Sequence, residues 1–393
     1  MHLSTEYSPF ARDVQENPYP YYDWLRRAHP VYYNEPLGFW TLSRYADVLM
    51  AARTPEVFSS AQGVGPDKRR GLTMITNDAP VHTRLRLLVS KAFTPRMVEQ
   101  YAPRIQAIID ELLEAVLPRG AFDLIADVAF PLPVTVIADI LGVEPERRED
   151  FKRWSDEVVH FTAGTPHPGH DRARYQQSWE EFKAYFLQVI EARRRAPRED
   201  LITLLVKAQE DQDALTTIEI LNFCQLLLVA GNETTTNLLS NALLALLTHP
   251  DQERVLRQQP ALAASMVEEA LRYDTPVQLV FRTTTCDFTI RGATIAADSK
   301  VALLWGAANR DPEAFPDPDR FDITRTPNPH VAFGYGIHYC LGAPLARLET
   351  RLAMETLLRR MQHIRPDPHG VCDRVENPLL RGLQRFPLLF DPV

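Results

Sequence analysis

The sequence predicts a mainly α-helical protein with a minor β part, which is an α+β fold. Helical periodicity dominates residues 82–210. A capping-box pattern at Thr216 opens a second long helical segment, which can continue to the stop at Pro250. Only short segments, at residues 283–290 and 300–304, have the β-branched and apolar composition of strands.

Turn-forming residues separate the remaining elements. Residues 31–33 and 39–42 flank the sequence NEPLG, which predicts a small hairpin. Glycine and proline at residues 164–169 predict a break between two helices. Residues 309–328 are rich in Asp, Pro and Arg, so little regular structure is expected there.

Composition narrows the class of protein. The net charge of −8 argues against a strongly basic nucleic-acid binder. The four scattered cysteines form no Cys-x-x-Cys pair, which favours a reducing, cytoplasmic location. The N-terminus lacks the apolar region of a signal peptide, and no apolar run reaches the roughly 18–20 residues of a membrane span. The 31 prolines are spread along the chain, so one domain over residues 1–393 is expected.

The long second helix carries an unusual polar run at residues 230–235, AGNETT. With about 32 residues this helix would extend roughly 48 Å, enough to cross the protein. Gly, Asn and Thr cost up to about 1 kcal/mol each relative to Ala in a helix interior. One interpretation is packing by small residues, with Thr234 and Thr235 bonded back to the preceding turn. The other is a functional site.

The most specific motif is the glycine-punctuated sequence FGYGIHYCLG at residues 333–342. It places Cys340 at the start of a helix that has Pro344 in its first turn. Backbone N–H groups at a helix start favour an anion and would hold the thiolate, which binds metal. The three glycines let the backbone approach something flat. A buried structural cysteine is one alternative, and half of a zinc site with His338 is another, although no second pair has zinc spacing.

This motif resembles the haem-binding loop of cytochromes P450. The polar run at residues 230–235 resembles the oxygen-activating helix of the same family. The pair formed by Glu269 and Arg272, together with the segment PDRF at residues 318–321, resembles two further family motifs that form a buried structural network joined by Arg320. The resemblance covers almost the whole chain and points to the soluble bacterial branch.

The resemblance implies a cytochrome P450 fold with haem b, iron protoporphyrin IX, between the long central helix and the helix after the cysteine loop. Cys340 would be the metal ligand, and Thr234 with Glu233 would be catalytic, through proton delivery. His82, Arg86, Arg282 and His338 would bind the two haem propionates. The implied cofactor-binding residues are His82, Arg86, Ala230, Gly231, Arg282, Phe333, Gly334, His338, Cys340 and Gly342.

The implied activity is insertion of one oxygen atom of O₂ into a hydrophobic small molecule by a monomeric monooxygenase. The chain has no flavin or NAD fingerprint and no second cysteine cluster. Electrons would therefore come from NAD(P)H through a ferredoxin reductase and a ferredoxin, an iron–sulfur protein. Alternatives are a peroxide-using haem-thiolate enzyme and a non-catalytic P450-like domain that recruits carriers or binds ligands. Loss of the Glu233-Thr234 pair would favour either, and the pair is present.

The same resemblance locates the substrate pocket and the partner surface. The pocket would be lined by residues 63–75, 161–169, 226–231 and 277–281 and near Leu383, and its apolar character favours a terpenoid, steroid, fatty acid or macrolide precursor. The cations expected on the ferredoxin surface are Arg84, Arg86, Lys91, Arg347 and Arg351.

Overall fold

The computed structural model describes residues 6–68, 71, 73–163, 172–207 and 215–393. Within these ranges the chain is mainly helical with a minor β part, as predicted. The α-helices are α1 (Arg12–Glu16), α2 (Tyr19–Ala28), α3 (Tyr45–Arg53), α4 (Val81–Ser90), α5 (Pro95–Glu99), α6 (Ala102–Val116), α7 (Pro131–Ile140), α8 (Arg148–Ala163), α9 (Arg172–Arg195), α10 (Leu201–Lys207), α11 (Thr217–Thr248), α12 (Pro250–Gln258), α13 (Ala263–Tyr273), α14 (Trp305–Ala308) and α15 (Ala343–Arg360).

The strands among the described residues form four small sheets. They are β1 (Val31–Asn34), β2 (Phe39–Leu42), β3 (Phe58–Ser59), β4 (Ala121–Asp123), β5 (Leu279–Thr284), β6 (Phe288–Ile290), β7 (Ala293–Ile295), β8 (Lys300–Leu304), β9 (Met361–Pro366), β10 (Asp373–Arg374), β11 (Leu383–Arg385) and β12 (Pro387–Pro392). The largest sheet has the order β1-β2-β8-β5-β3, in which β2 and β8 are parallel and the other pairs are antiparallel. The others are β10-β11, β4-β12-β9 and β6-β7.

The predicted hairpin is confirmed as β1 and β2, which pair from Val31 with Leu42 to Asn34 with Phe39. The strand predicted at residues 283–290 is wrong in its limits, because β5 ends at Thr284 and β6 starts at Phe288. The strand at residues 300–304 is confirmed as β8. Residues 309–328, all of them described, contain no helix or strand, as expected, and the irregular segment continues to residue 335.

Helix α11 is the axis of the main core. Its capping box is present, since Thr216 accepts from the Glu219 N–H and the Glu219 carboxylate accepts from the Thr216 N–H. The helix continues for 32 residues without a break at the polar run. It packs against α7, α8, α13 and α15, and its buried face belongs to the largest hydrophobic cluster. The helix break predicted at residues 164–169 lies outside the described residues, as do residues 208–210 at the end of the predicted helical region.

The Glu269–Arg272 ion pair is fully buried, and both guanidinium–carboxylate contacts measure 2.8 Å. The prediction that Arg320 joins this ion pair is wrong. The Arg320 side chain is 64% exposed, and this residue contributes only its carbonyl oxygen to Arg272. Arg325 instead brings its Nε to 3.2 Å from both Glu269 oxygens. An irregular segment without helical or strand periodicity gives the sequence no means of assigning which arginine turns inward.

Candidate active site

The cysteine loop folds back on itself ahead of α15. The Cys340 N–H donates to the Phe333 carbonyl at 2.9 Å. Gly334 and Gly336 have φ of 71° and 72°, a region that disfavours residues with a Cβ. A Cβ at Gly336 would also collide with the Ala52 carbonyl oxygen at the end of α3. The two glycines therefore hold the loop tight and close to its neighbours.

Opposing effects act on the Cys340 thiol. Burial raises the pKa of Cys340 above its ordinary value, while the N–H groups of Gly342 and Ala343 and the charges of Arg86 and Arg347 lower it. The N–H groups of the helix start thus favour the thiolate, as predicted, but desolvation opposes them with the larger effect. A bound cation would supply the missing stabilisation of the thiolate.

The polar run of α11 faces the cysteine loop across one cavity. Ala230, Gly231, Thr234 and Thr235 line this cavity. The Thr234 hydroxyl donates to the Ala230 carbonyl at 2.6 Å, as the interpretation of back-bonding predicted. At Gly231 the absent side chain leaves space that Ile137 of α7 fills, so this glycine also permits close helix packing.

Glu233 differs from its neighbours. Among the described residues, it is not part of the cavity lining. Burial raises the pKa of the Glu233 carboxyl to about 7. At neutral pH this side chain can therefore both hold and release a proton.

One end of the cavity gathers donors and cations. It is lined there by His82, Arg86, Arg282 and His338. The rings of His82 and His338 lie 4.3 Å apart, and burial lowers the pKa of His82 to about 4. Burial also lowers the pKa of Arg282 to about 10. The Arg282 guanidinium donates a hydrogen bond to the neighbouring Phe281 carbonyl at 2.9 Å.

Among the described residues, Asp78 is the carboxylate that interacts with His82, Arg282 and His338. The Nε2 atom of His338 lies 3.9 Å from Asp78, beyond hydrogen-bond distance. Buried ring nitrogens of both His82 and His338 have no hydrogen-bond partner among the described residues. One carboxylate at this distance compensates several buried donors and cations only in part, and incomplete compensation of a buried charge is costly. The four side chains thus fit a ligand that carries anionic oxygens.

Eleven of the twelve predicted site residues line this cavity, and Glu233 is the exception. The predicted pocket is found in part: Val64, Met74 and Ile75, Leu226 and Leu227, and Val277 and Val280 line it. Alternation along β5 turns Leu279 and Phe281 into a cluster on the opposite face of the sheet. Leu383 is buried and, within the described ranges, outside the cavity lining. Most of residues 161–169 lie outside the description.

Comparison with known proteins decides the family. The family model for cytochrome P450 matches residues 50–388. The chain belongs to the cytochrome P450 family. The predicted fold class and family are thereby confirmed, and this P450 is a haem enzyme, a monooxygenase that uses O₂ and an organic substrate.

Relatives of this P450 cover nearly all of its length. The structure of CYP109Q5 from Chondromyces apiculatus is 42% identical with a TM-score of 0.90, and 98% of each chain is covered. CYP109E1 from Bacillus megaterium, solved in complex with testosterone, is 37% identical with a TM-score of 0.88, over 95% of this chain and 99% of that one. The steroid C26-monooxygenase of Mycobacterium tuberculosis is 39% identical over 94% of this chain and 93% of that protein.

The residues of this P450 fit a haem. A Cβ at Gly342, which lines the cavity beside Cys340, would meet no atom within 4 Å, so a flat group has room there. The unpartnered donors at one end match the two propionates. Within the described ranges, no group of three or more His, Cys, Asp or Glu side chains is placed to hold a metal ion.

Some of the residues that line the cavity of this P450 were not predicted from the sequence. They include Ile137, Phe223, Trp305 and Glu349. Glu349 is fully buried, and burial raises its pKa to about 8. The sequence pattern could have identified Glu349, because it lies four residues after Leu345 on the buried face of α15.

None of the described helices combines the length and the apolar character that a segment needs to cross a bilayer.

Proposed function

We propose that this chain is a haem b-thiolate monooxygenase that hydroxylates a neutral, hydrophobic small molecule with electrons from a ferredoxin. The observation that carries this proposal is a single cavity lined by Cys340 on one side and by the polar run of α11 on the other. The family membership supports the reaction class. One domain over residues 1–393, a monomeric state and a cytoplasmic location stay predictions.

The proposed roles follow the cavity. Cys340 would ligate the iron, while Phe333, Gly334 and Gly342 would shape the loop around the ring. Ala230 and Gly231 would lie over the opposite face, and the propionates would bind His82, Arg86, Arg282 and His338. When bound, the haem supplies the oxygen chemistry, and a thiolate ligand favours cleavage of the O–O bond.

Proton delivery is assigned to Thr234 with Glu233. The Thr234 hydroxyl lines the cavity and is bonded to the Ala230 carbonyl, so its oxygen stays oriented. Glu233 precedes it on the same helix and exchanges a proton near pH 7. Together they can take a proton from outside the cavity and present it to the reaction site.

The substrate class follows from the rest of the lining. Val64, Met74, Ile75, Phe223 and Leu226 form an apolar wall. In the described part of this wall no side chain is charged, so an ionised head group would have no partner. A neutral steroid fits this apolar wall. Two relatives support the choice, namely CYP109E1, solved in complex with testosterone, and the steroid C26-monooxygenase.

The ferredoxin surface differs from the predicted set of cations. Three of the five pair with carboxylates: Arg84 with Glu219, Arg347 with Glu268 and Arg351 with Glu355. A fourth, Arg86, lines the cavity. Lys91 is exposed, and in the described part of the chain no carboxylate pairs with it. Exposed apolar side chains occur on α4 at Leu87 and on the cysteine loop at Tyr335, Ile337 and Tyr339. We define these five residues as the docking face.

The test measures ligation of the haem iron by Cys340 and turnover of a steroid substrate. Reduced wild-type protein with carbon monoxide should show the red-shifted Soret band of thiolate ligation, and Cys340→Ala should lose it. Cys224→Ala, Cys286→Ala and Cys372→Ala are matched controls that should keep the band. With ferredoxin, reductase and NAD(P)H, the wild type should convert testosterone to a hydroxylated product. A band that persists in Cys340→Ala would contradict the ligand assignment, and no product from any steroid would contradict the substrate class.

A further inference from the structure

The loop at residues 62–65 forms part of the cavity wall without belonging to a helix or a strand. Its residue Val64 lines the cavity. Gly63 has φ of 88°, and Gly65 and Pro66 follow. Glycine-rich backbone of this kind does not fix its own position, because glycine retains the most conformational freedom of any residue. Contacts from elsewhere must therefore decide where Val64 lies.

Those contacts come from the neighbouring sheet. The Lys300 ammonium donates to three carbonyl oxygens, those of Gln62, Gly63 and Gly65, each at 3.1 Å. The fourth carbonyl, of Val64, accepts from the Phe281 N–H of β5 at 2.8 Å. All four successive carbonyls are thus held by two adjacent strands, β5 and β8.

Lys300 is suited to this task in a way that other residues are not. An ammonium group has three donors and no acceptor, and here all three donors are used. Lys300 itself is buried, with 6% of its surface exposed. Removing it would leave three carbonyl oxygens without their donor, which is the expensive outcome for buried polar groups.

Among the described residues, the charged groups near Lys300 have opposing effects on its ammonium. Lys68 and Arg282 repel its charge, and Asp67 attracts it. Lys68 is engaged with Asp298, with 2.7 Å from its Nζ to both the carboxylate and the carbonyl of that residue. The three hydrogen bonds of the Lys300 ammonium go to the loop carbonyls.

We propose that Lys300 is a positioning residue that sets substrate selectivity, because it fixes Val64 against the substrate side of the cavity. The inference rests on the proposed function only in naming a hydrophobic substrate. Lys300 does not touch the reacting atoms and acts through Val64. Replacing it should widen and loosen one wall of the cavity while the haem site is unchanged.

The first experiment measures the loop and needs no substrate. Hydrogen exchange followed by mass spectrometry on haem-loaded protein should show that amides within residues 61–68 exchange at least about tenfold faster in Lys300→Met than in the wild type. Lys300→Gln, which keeps two donors, should be intermediate and serves if Lys300→Met is unstable. Lys68→Met is the matched control, since it removes a lysine from the same loop but none of the three bonds. Equal exchange in all four proteins would overturn the proposal.

The second experiment tests the action through Val64. Binding of 4-phenylimidazole, a haem-directed probe that reports the cavity whatever the natural substrate, and of testosterone is titrated by the Soret shift. Lys300→Met should change the dissociation constants by roughly five- to tenfold while the carbon monoxide band stays unchanged. In the double variant with Val64→Gly the two effects should be strongly non-additive. Additive effects would overturn the role of Val64.

The two proposals fail in different ways. If testosterone gives no shift with the wild type, the steroid assignment fails, whereas exchange and 4-phenylimidazole binding still decide the role of Lys300. If testosterone is hydroxylated but Lys300→Met binds both probes like the wild type, the proposed function stands and the positioning role falls.

Discussion

At the scale of single residues, Thr234 makes a hydrogen bond within its own helix and also lines the cavity. Its hydroxyl bonds back to Ala230 in its own helix, an ordinary behaviour of threonine, yet the same hydroxyl lines the cavity opposite Cys340. Thr248, near the end of the same helix, makes the same kind of bond to Leu244 at 2.8 Å and, within the described ranges, does not line the cavity. The two threonines therefore separate a structural effect from a functional one.

We predict that Thr234→Ala retains haem and substrate binding but loses coupling. Without the hydroxyl, protons reach the reaction site along unproductive routes, so NAD(P)H is consumed while much of the oxygen appears as hydrogen peroxide. The ratio of product to NAD(P)H should fall several-fold, and Thr248→Ala should behave like the wild type. Equal coupling in Thr234→Ala and the wild type would remove Thr234 from the proton route.

Glu349 predicts a pH dependence of stability. Burial raises its pKa to about 8 in the folded protein, whereas an unfolded Glu titrates near its ordinary value. The folded state therefore binds the proton more tightly, and stability is lost as pH rises between these two values. Glu349→Gln removes the ionisation while keeping the shape, so its urea midpoint should exceed that of the wild type by more at pH 8 than at pH 5.

The matched control for Glu349 is Glu355→Gln, on the same helix but paired with Arg351 near the surface. This variant should show nearly the same difference from the wild type at both values of pH. A Glu349→Gln advantage that does not grow with pH would mean that the carboxyl finds a partner in the haem-loaded protein.

At the scale of elements, the Glu269 network ties α13 to the irregular segment before the cysteine loop. Glu269 accepts from Arg272 on its own helix, from Arg325 and from the Asp322 N–H at 2.9 Å. Arg272 in turn donates to the carbonyls of Pro318 and Arg320. A segment without regular hydrogen bonds thus obtains its partners from a helix.

We predict that Glu269→Gln destabilises the protein by roughly 3–5 kcal/mol, because two arginines lose their shared counter-charge in a buried site. Little haem-loaded protein should be recovered. Arg325→Ala should also be destabilising, whereas Arg320→Ala should stay within about 0.5 kcal/mol of the wild type because its side chain is exposed. Urea unfolding of the three variants provides the measurement. Equal effects of Arg320→Ala and Arg325→Ala would contradict the assigned network.

At the scale of the whole molecule, the net charge of −8 and the docking face point in different directions. The five residues of this face are apolar or aromatic except for Lys91. Arg53 and Arg347 also contact the face, since they donate to the hydroxyls of Tyr335 and Tyr339. Local charge and apolar contact, rather than net charge, govern encounter with a small acidic partner.

We predict that Lys91→Glu and Leu87→Asp slow reduction by a ferredoxin without changing substrate-binding spectra. Reduction by the wild type should also slow as added salt shortens the Debye length below about 10 Å. Lys207→Glu on α10 makes the same charge change outside the docking face and should have little effect. Stopped-flow reduction followed by carbon monoxide binding gives the rates. Insensitivity to salt, to Lys91→Glu and to Leu87→Asp would place the docking site elsewhere.

Patterns over adjacent residues allowed much of the fold to be predicted. The capping box of α11, the hairpin of β1 and β2, strand β8 and the cysteine loop each depend on residues within a few positions of one another. Local sterics and backbone hydrogen bonding govern such features, so the sequence carries them directly. The cavity lining was likewise predicted at eleven positions, because the motifs that resemble the family lie in these same local patterns.

Other features depend on groups far apart in the chain. Arg325 rather than Arg320 reaches Glu269, burial raises the pKa of the Cys340 thiol against the effect of the helix start, and Lys300 holds carbonyls that precede it by more than two hundred positions. Each outcome reflects burial and the supply of hydrogen-bond partners, and both depend on which surfaces meet when the chain folds. Local sequence patterns cannot assign such partners, because the residues adjacent to an arginine or lysine do not show whether its side chain faces water or a buried carbonyl.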